Sequence, residues 1–266
     1  MFARRDEGVG LVNRRKGRAI GERPARDAHE RLRRLFMVDV FETLPHEELT
    51  ILAELCEPVE YGAGDAIFHP ETESDRVYLI EQGRVRIYRS GPRDQEMTFL
   101  VLEGGTVFGR LGPGDRAQGT HAQAIEASIV STLRREDLER LVMRRPEVGL
   151  RIASIADERL ALSEARATDL AHKEVPGRLA SLLLRLIENE GVVTPRCHEI
   201  HTRYTHQQIA GMIGAKREAV TRAFGLLRGI GAVEVHRRIV RVTDLDALEQ
   251  AAVTQWRRGS AVNDDS

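Results

Sequence analysis

The chain has 266 residues, of which 41% are hydrophobic and 30% charged, and its formal net charge is −1. This composition indicates a soluble globular protein of about two domains. No signal-peptide pattern and no apolar run near the roughly 18 residues of a membrane span occur, so we expect a cytoplasmic protein without a membrane partner.

The two cysteines, Cys56 and Cys197, lie far apart in sequence and do not indicate a disulfide framework. They are also too few for a four-cysteine iron–sulfur cluster in one subunit. Cys56 falls on the apolar side of a helical pattern over residues 41–55 that Pro45 introduces. A structural thiol is therefore favoured over a redox sensor or haem ligand.

Charge is unevenly distributed along the chain. Residues 1–34 carry eleven Lys or Arg against five acids, residues 35–173 sixteen against twenty-five, and residues 174–258 thirteen against nine. The neutral total does not exclude nucleic-acid binding, because the electrostatic footprint of such proteins is local. Residues 1–34 are predicted to be a mostly disordered basic arm, either dispensable or adding phosphate contacts, with helix beginning near Ala28.

Between Val59 and Leu133 the apolar period changes to two. Glycine-rich turn signals separate the short alternating runs, which predicts an antiparallel barrel or jelly roll. The strand-forming runs are residues 66–68, 77–80, 85–88, 97–102 and 127–133.

Residues 136–172 show apolar side chains at threes and fours, which predicts one long helix. A helix of this length that connects two domains needs a partner for its apolar stripe. Pro176 and Gly177 then predict a hinge over residues 173–178, after which a new helix begins.

Residues 205–228 predict two short helices joined by a tight turn. Thr205 and Gln208 have capping-box spacing, and an apolar stripe follows. Gly214 ends the first helix, since glycine tolerates the positive φ of such a turn. Two further runs, residues 232–235 and 239–242, predict a wing hairpin.

The second helix of this pair carries charge on one face and apolar side chains on the other. Arg217, Glu218, Thr221 and Arg222 share the charged face. The guanidinium fork of arginine matches O6 and N7 of guanine, and glutamate accepts a hydrogen bond from N4 of cytosine. A solvated surface with an ordinary Arg–Glu pair is the alternative, but the helix-turn-helix context favours DNA reading.

The sequence 217–222, with Ile209-Ala210 and Ile213-Gly214 upstream, closely resembles the recognition motif of the CRP/FNR (cyclic-AMP receptor protein) family of bacterial transcription regulators. Residues 64–67, Asp75, 78–80, Gly83 and Val85 fall at the spacings of that family's β-roll sensor. The resemblance runs from roughly Phe41 to Leu248.

The resemblance implies an α+β fold with a cyclic-nucleotide-binding-like β-roll, a long central helix and a C-terminal winged helix-turn-helix. It divides the chain into an arm (1–34), a sensor (35–135), a dimerisation helix (136–173), a DNA-binding domain (174–258) and a loose tail (259–266). The implied partners are double-stranded DNA and a second copy of the chain, and a contact with RNA polymerase stays open.

By the same resemblance, Arg217 and Arg222 read guanines and Glu218 reads a cytosine in a TGTGA-like half-site. The expected contacts with the DNA backbone come from Thr205, Lys216, Thr221, Arg237 and Arg238. Lys216 stands where the family often has Ser or Thr. For Arg237 and Arg238 a solvated turn is the alternative.

The family holds its cyclic nucleotide with Phe-Gly-Glu and, further on, an Arg-Ser or Arg-Thr pair. Here Arg110 follows Phe108-Gly109, and Gly119 precedes Thr120. Without that Glu and Arg, the ribose hydroxyl and the cyclic phosphate lose their partners, so cyclic AMP is not expected as the effector. The candidate effector-pocket residues are Gly109, Arg110, Leu111, Arg116, Thr120, His121 and Ser163.

Three interpretations of this pocket remain. The first is that it binds another small molecule, with Arg110 or Arg116 neutralising an anion. The second is that it is empty, in a dimer already competent to bind DNA. The third is that His121 or another imidazole holds a metal or haem, which is disfavoured for a lone histidine. Ser163 matches a position that touches ligand in the family and is otherwise a surface residue. No cofactor is assigned.

Two other classes of function are weaker. An architectural protein that bends DNA without sensing an effector is the main alternative. For an enzyme, the sequence offers no nucleophile–base pair, metal-ligand spacing or phosphate loop.

Overall fold

A computed structural model describes residues 18–19, 26–70, 75–91, 96–109, 119–194, 197–201, 204–236 and 239–254. The chain forms two compact units. The first comprises Met1–Ile87 and Val101–Ile152, and the second Tyr88–Leu100 and Ala153–Ser266. Within the ranges just given, no helix is both long enough and apolar enough to cross a membrane.

The elements from the N-terminus to the middle of the chain are mostly strands. In chain order they are β1 (Arg18–Ala19), α1 (Arg26–Phe36), a 3-10 helix (Asp39–Phe41), α2 (His46–Leu55), β2 (Glu57–Tyr61), β3 (Ala66–Phe68), β4 (Arg76–Gln82), β5 (Arg84–Ser90), β6 (Glu96–Glu103), β7 (Thr106–Gly109), β8 (His121–Ala124), β9 (Ser128–Arg134), α3 (Arg135–Arg144) and α4 (Pro146–His172).

These strands form two sheets, in the orders β1-β2-β9-β4-β7 and β3-β8-β5-β6. The pairs that β2, β4 and β9 make are antiparallel, which confirms the predicted antiparallel β domain. All five predicted strand runs are present. The short strands β7 and β8 were not predicted as runs of their own.

The second unit contains most of α4 and all later elements. These are α5 (Val175–Glu190), β10 (Gly191–Val193), β11 (His198–Ile200), α6 (His206–Ile213), α7 (Arg217–Gly229), β12 (Val233–His236), β13 (Ile239–Val242) and α8 (Leu245–Val253). The four strands pair in the order β10-β11-β13-β12, all antiparallel. The helix pair α6–α7 and the β12–β13 wing therefore match the predicted winged helix-turn-helix and confirm the α+β fold class.

Residues 26–36 form α1, which begins two residues before the helix start predicted near Ala28 and lies partly within the predicted arm of residues 1–34. Arg34 Nε donates to Glu81 Oε2 at 2.7 Å, and the Glu81 side chain is fully buried. Ser131 donates to the other carboxylate oxygen of Glu81, and Arg31 donates to the carbonyl oxygen of Cys56. Arg34 thus neutralises the buried carboxylate of β4, and Arg31 binds the residue that precedes β2, so α1 packs on the β-roll. Residues 1–17 and 20–25 lie outside the described residues.

The predicted single helix over residues 136–172 is divided into α3 and α4. Arg145, between them, has φ −132° and ψ 79° and is not helical. Proline at the first position of α4 lacks an N–H and disfavours helical geometry in the residue before it. The side chain of Arg145 instead donates to Glu48 Oε1, with Nη2 at 2.6 Å.

The predicted hinge at Pro176 and Gly177 is also displaced. Both residues are buried in the first turn of α5, and only Lys173 and Glu174 separate α4 from α5. Proline is accepted there because the first N–H groups of a helix have no intrahelical partner.

Cys56, the residue that follows α2, lies in the core, as its place on the apolar side of the helical pattern predicted. It is 2% exposed, and burial raises the pKa of its thiol to about 12. The thiol is therefore protonated and unreactive near neutral pH. Helix α2 itself begins at His46 rather than at residue 41, because residues 39–41 form the 3-10 helix.

Candidate nucleic-acid interface

Helix α6 begins with the predicted capping box. The Thr205 hydroxyl accepts from the backbone N–H of Gln208 at 3.1 Å, and the Gln208 side chain accepts from the backbone N–H of Thr205 at 2.8 Å. Two of the N–H groups without intrahelical partners are thereby satisfied. Thr205 is exposed, so the start of this helix faces solvent.

The turn after α6 is held from behind by α5. Gly214 adopts φ +60° and ψ 48°, the left-handed conformation that favours glycine. A Cβ at this position would also lie 2.9 Å from Leu170 Cδ2. Arg178 Nη1 donates to the carbonyl oxygens of Ile213 at 2.7 Å and Gly214 at 3.2 Å, which satisfies the carbonyls at the end of α6. Burial lowers the pKa of Arg178.

Helix α7 separates its two faces as the sequence predicted. The buried side chains are Val220, Ala223, Phe224 and Leu227, none more than 3% exposed. On the other face Arg217, Glu218, Thr221 and Arg222 are exposed, and no ion pair ties the three charged ones to another described residue. Lys216, the residue before the helix, is exposed beside them. This arrangement presents two guanidinium groups and one carboxylate from a rigid helix.

His206, which the sequence analysis did not single out, joins α6 to α7. Its Nδ1 lies 2.9 Å from Thr221 Oγ1, and its ring stacks on Phe224 with centroids 5.2 Å apart. Thr221 in turn donates to the carbonyl oxygen of Arg217 at 3.2 Å. Because a hydroxyl has one proton, the imidazole then donates from Nδ1. His206 and Thr221 are 15 residues apart in sequence, so no local pattern indicates their contact. The one available signal was the position of His206 directly after the N-cap residue Thr205.

These residues border a groove of about 470 Å³ between the start of α6, the start of α7 and the wing. Its lining includes Thr205, His206 and Arg217 from the helix pair, and Val235 and Val240 from the wing. Arg237 and Arg238, between the wing strands, lie outside the described residues, as does the tail from residue 255.

The pKa of His206 is lowered, first by burial and then by the positive charges of Arg217 and Arg228. The folded state therefore favours the neutral ring. As the pH falls through the ordinary histidine pKa of about 6.5, the unfolded chain binds the proton more readily than the folded one, so stability is lost on acidification.

Replacing His206 with Asn is expected to flatten this pH dependence. The amide keeps a partner for Thr221 but does not titrate, so the fall in Tm between about pH 7.5 and pH 5 should be smaller than in the parent protein. Thermal unfolding followed by circular dichroism measures it. The matched control is His172→Asn, at the exposed end of α4; an equal effect of both substitutions would contradict the role of His206.

The candidate effector residues are only partly described. Gly109 ends β7 with φ +97°, and a Cβ there would lie 2.8 Å from Tyr78 Cδ2, so glycine is required. Thr120 is half-buried, and the His121 ring lies edge-on to His69 with centroids 5.8 Å apart. Arg110, Leu111 and Arg116 lie outside the described residues.

Ser163 belongs to the second unit, where it is exposed and donates to the carbonyl oxygen of Arg159 at 2.9 Å. The described residues contain no group of three or more His, Cys, Asp or Glu side chains that could hold a metal ion.

Two family models match the chain. A cyclic nucleotide-binding domain matches residues 58–145, and a Crp-like helix-turn-helix domain matches residues 177–251. The first range covers most of the β-roll, and the second contains the groove with α6, α7 and the wing.

Curated relatives extend along most of the chain. The "Global nitrogen regulator" of Synechococcus elongatus is 30% identical over 194 residues, which are 72% of this chain and 87% of the relative. The "CRP-like cAMP-activated global transcriptional regulator" of Mycobacterium tuberculosis is 26% identical over 216 residues, 80% of this chain and 96% of the relative. Among solved structures, a CooA mutant from Carboxydothermus hydrogenoformans has a TM-score of 0.71 at 22% identity, with 81% of this chain and 95% of that chain covered. That likeness concerns the fold alone.

Proposed function

Because the chain belongs to the CRP/FNR family of transcription regulators, we propose that it reads a palindromic, TGTGA-like DNA site as a homodimer and that cyclic AMP is not its principal effector. The observation that carries the proposal is the exposed set Arg217, Glu218 and Arg222 on α7, whose opposite face is buried. Such a helix can enter the major groove without disturbing its own packing.

In this proposal Arg217 and Arg222 donate to guanines, and Glu218 accepts from a cytosine. Contacts with phosphates position the DNA-binding domain on the duplex but carry no sequence information. We assign these contacts to Thr205, Lys216 and Thr221, and to Arg237 and Arg238 of the wing. To donate to a phosphate, Thr221 has to give up its hydrogen bond to the carbonyl oxygen of Arg217, because its hydroxyl has one proton.

The homodimer is supported by the exposed face of α4. Seven positions along this helix follow the 4-3-4-3-4-3 spacing of a coiled-coil seam, and six of them are exposed in the single chain. These seam residues are Gly149, Ala153, Ala156, Leu160, Ser163, Ala167 and Leu170. Most are small, which lets two helices approach closely, and a helix with an exposed apolar stripe needs a partner. A twofold pair of heads then contacts two half-sites about 34 Å apart.

The proposed domains are the sensor (35–135), the dimerisation region (136–173) and the DNA-binding domain (174–258). We adjust this proposal in two respects: α1 is added to the sensor, and we assign the seam to α4 and not to α3.

The sensor sequence lacks two residues that would hold cyclic AMP. Arg110 replaces the glutamate that would accept from the ribose hydroxyl, and Gly119 stands where an arginine would pair with the cyclic phosphate. The mycobacterial relative is named as cAMP-activated, whereas the name of the Synechococcus relative mentions no cyclic nucleotide.

Calorimetric titration of the purified protein with cyclic AMP is expected to show no tight binding, with a Kd weaker than about 1 mM. Tight binding that an Arg116→Ala substitution abolishes would contradict this expectation, since Arg116 would then supply the missing phosphate partner.

Site selection from a random DNA library tests the proposed function. The purified protein is expected to enrich a palindrome with two TGTGA-like half-sites, with affinity falling steeply as salt rises. Enrichment of no sequence would overturn sequence-specific reading, and enrichment of a single half-site would overturn the dimer. Repeating the selection with RNA polymerase present tests that further partner.

A further inference from the structure

A cavity of about 230 Å³ lies within the second unit, behind the turn between α6 and α7. Its apolar wall comes from β6, the end of α4 and α6. The residues of this wall are Met97, Phe99, Leu170, Met212 and Ile213. Among the described residues of the sequence-predicted effector set, Ser163 is the one that borders this cavity.

The same cavity has a strongly positive lining. Arg166, Arg178 and Arg185 border it, and Asp169 is the only acidic residue among the described lining residues. The Asp169 carboxylate already forms two ion pairs: its Oδ1 lies 2.7 Å from Lys173 Nζ, and its Oδ2 lies 3.3 Å from Arg185 Nη1. Positive charge therefore exceeds negative charge around the space.

Two of these guanidinium groups have donors without acceptors. Arg166 donates from Nη1 to the carbonyl oxygen of Phe99, but its Nε is buried and has no hydrogen-bond partner among the described residues. The Nε of Arg178 is also buried and also has no hydrogen-bond partner among the described residues. Burial and the nearby charge of Arg185 lower the pKa of Arg166. Buried charge and unpaired donors both destabilise a structure, so an anion placed here would be bound favourably.

We propose that this cavity, which we call the arginine cavity, binds a small carboxylate with an apolar body. The carboxylate accepts from the arginines, and the body packs against Met97, Phe99 and the apolar residues of α4 and α6. The volume is below the roughly 300 Å³ at which pockets for drug-sized ligands begin, which restricts the ligand to a short acyl or single-ring carboxylate such as hexanoate or benzoate.

The position of the arginine cavity connects it to DNA binding. Arg178 also donates to Ile213 and Gly214 in the turn that positions α7, and Met212 and Ile213 form part of the cavity wall. A ligand here contacts the helix-turn-helix from behind and changes the placement of the reading face. This regulatory step rests on the proposed function, whereas binding of the carboxylate does not.

Seam residues Ser163, Ala167 and Leu170 border the cavity as well. In the proposed homodimer the second α4 runs along these residues and adds a wall to the cavity, whereas the arginines and the apolar residues named above all come from one chain. The test accordingly uses the full-length protein at concentrations where it is dimeric.

Calorimetry without DNA tests the site. Benzoate and hexanoate are expected to bind at least about tenfold more tightly than benzamide and hexanamide, which have the same shape without the charge. Arg166→Gln should weaken benzoate at least about tenfold, and Arg140→Gln, on the exposed surface of α3, should leave it unchanged. Equal binding of acid and amide, no binding of either acid, or full affinity in a folded Arg166→Gln variant overturns the proposal.

A crystal structure with 4-bromobenzoate locates the ligand even if Arg166→Gln does not fold. An anomalous bromine peak among Met97, Leu170 and Met212 supports the arginine cavity. A peak elsewhere, or side chains of the second copy filling the space, overturns it.

Measuring the affinity for the palindromic DNA site with and without benzoate tests whether the ligand regulates DNA binding. We expect the affinity to change at least about fivefold, and no change overturns regulation through this site. If the protein binds benzoate but binds no DNA sequence specifically, the proposed function is overturned and the arginine cavity is not.

Discussion

Replacing Ala156 with glutamate is expected to split the homodimer and to lower affinity for a palindromic site by about a hundredfold or more. Ala156 is an exposed seam position in the middle of α4. In a coiled coil the two copies of such a residue face one another, so the substitution buries two like charges without counterions. Each head would then bind its half-site alone and lose the gain in effective concentration.

Ala165→Glu is the matched control, since it makes the same change on the same helix at an exposed position outside the seam. Sedimentation equilibrium measures the oligomeric state, and fluorescence anisotropy with a labelled palindrome measures DNA affinity. If the Ala156→Glu protein remains a dimer of parental stability, the α4 seam is not the interface. Monomers from both variants would point instead to a general destabilisation of the helix.

The second large effect is expected for Glu218→Ala. Glu218 is exposed in the first turn of α7 and has no competing ion pair with a described residue, so its carboxylate is available to a cytosine. Loss of this contact should cost about 1–3 kcal/mol of discrimination at one base pair of each half-site. Across both half-sites the preference for the palindrome over a doubly substituted site falls by about 2–6 kcal/mol, because separated positions contribute roughly additively.

Arg228→Ala controls for a change of charge on the same helix. Arg228 is exposed in the last turn of α7, away from the predicted reading residues, and its loss should weaken binding to all sequences alike. Site selection on both variants separates these outcomes. A motif unchanged by Glu218→Ala would exclude Glu218 as a reader of sequence, and a relaxed motif in both variants would show that charge alone sets the preference.

Much of the helix-turn-helix could be predicted from the sequence, because the residue patterns that define it are local. Thr205 and Gln208 are three residues apart, and Gly214 needs a conformation that few other residues adopt. The two faces of α7 follow directly from the helical period, as the burial of Phe224 and the exposure of Arg222 confirm. Each of these features depends on residues within about one turn of helix.

The predictions differ from the structure at residues whose conformation depends on contacts distant in sequence. The basic composition of residues 1–34 indicated an arm that ends at Arg34, but Arg34 donates to a buried glutamate 47 positions along the chain. Pro176 and Gly177 indicated a hinge, but a first helical turn accepts both residues. Strands β10 and β11 are three residues each, too short for an alternating pattern. They are defined by the pairing of β11 with β13 of the wing and of β10 with β11.

The sequence alone was sufficient for the family, the α+β class and the face of α7 that carries Arg217, Glu218 and Arg222. Only the tertiary structure decided which distant groups meet behind that face: His206 with Thr221, Arg178 with the carbonyl of Ile213, and Arg166 with the carbonyl of Phe99. The physical reason is range. Caps, turns and helical periodicity are set by neighbouring residues, whereas a buried guanidinium finds its acceptor 35 or 67 positions along the chain, and no local pattern records that distance.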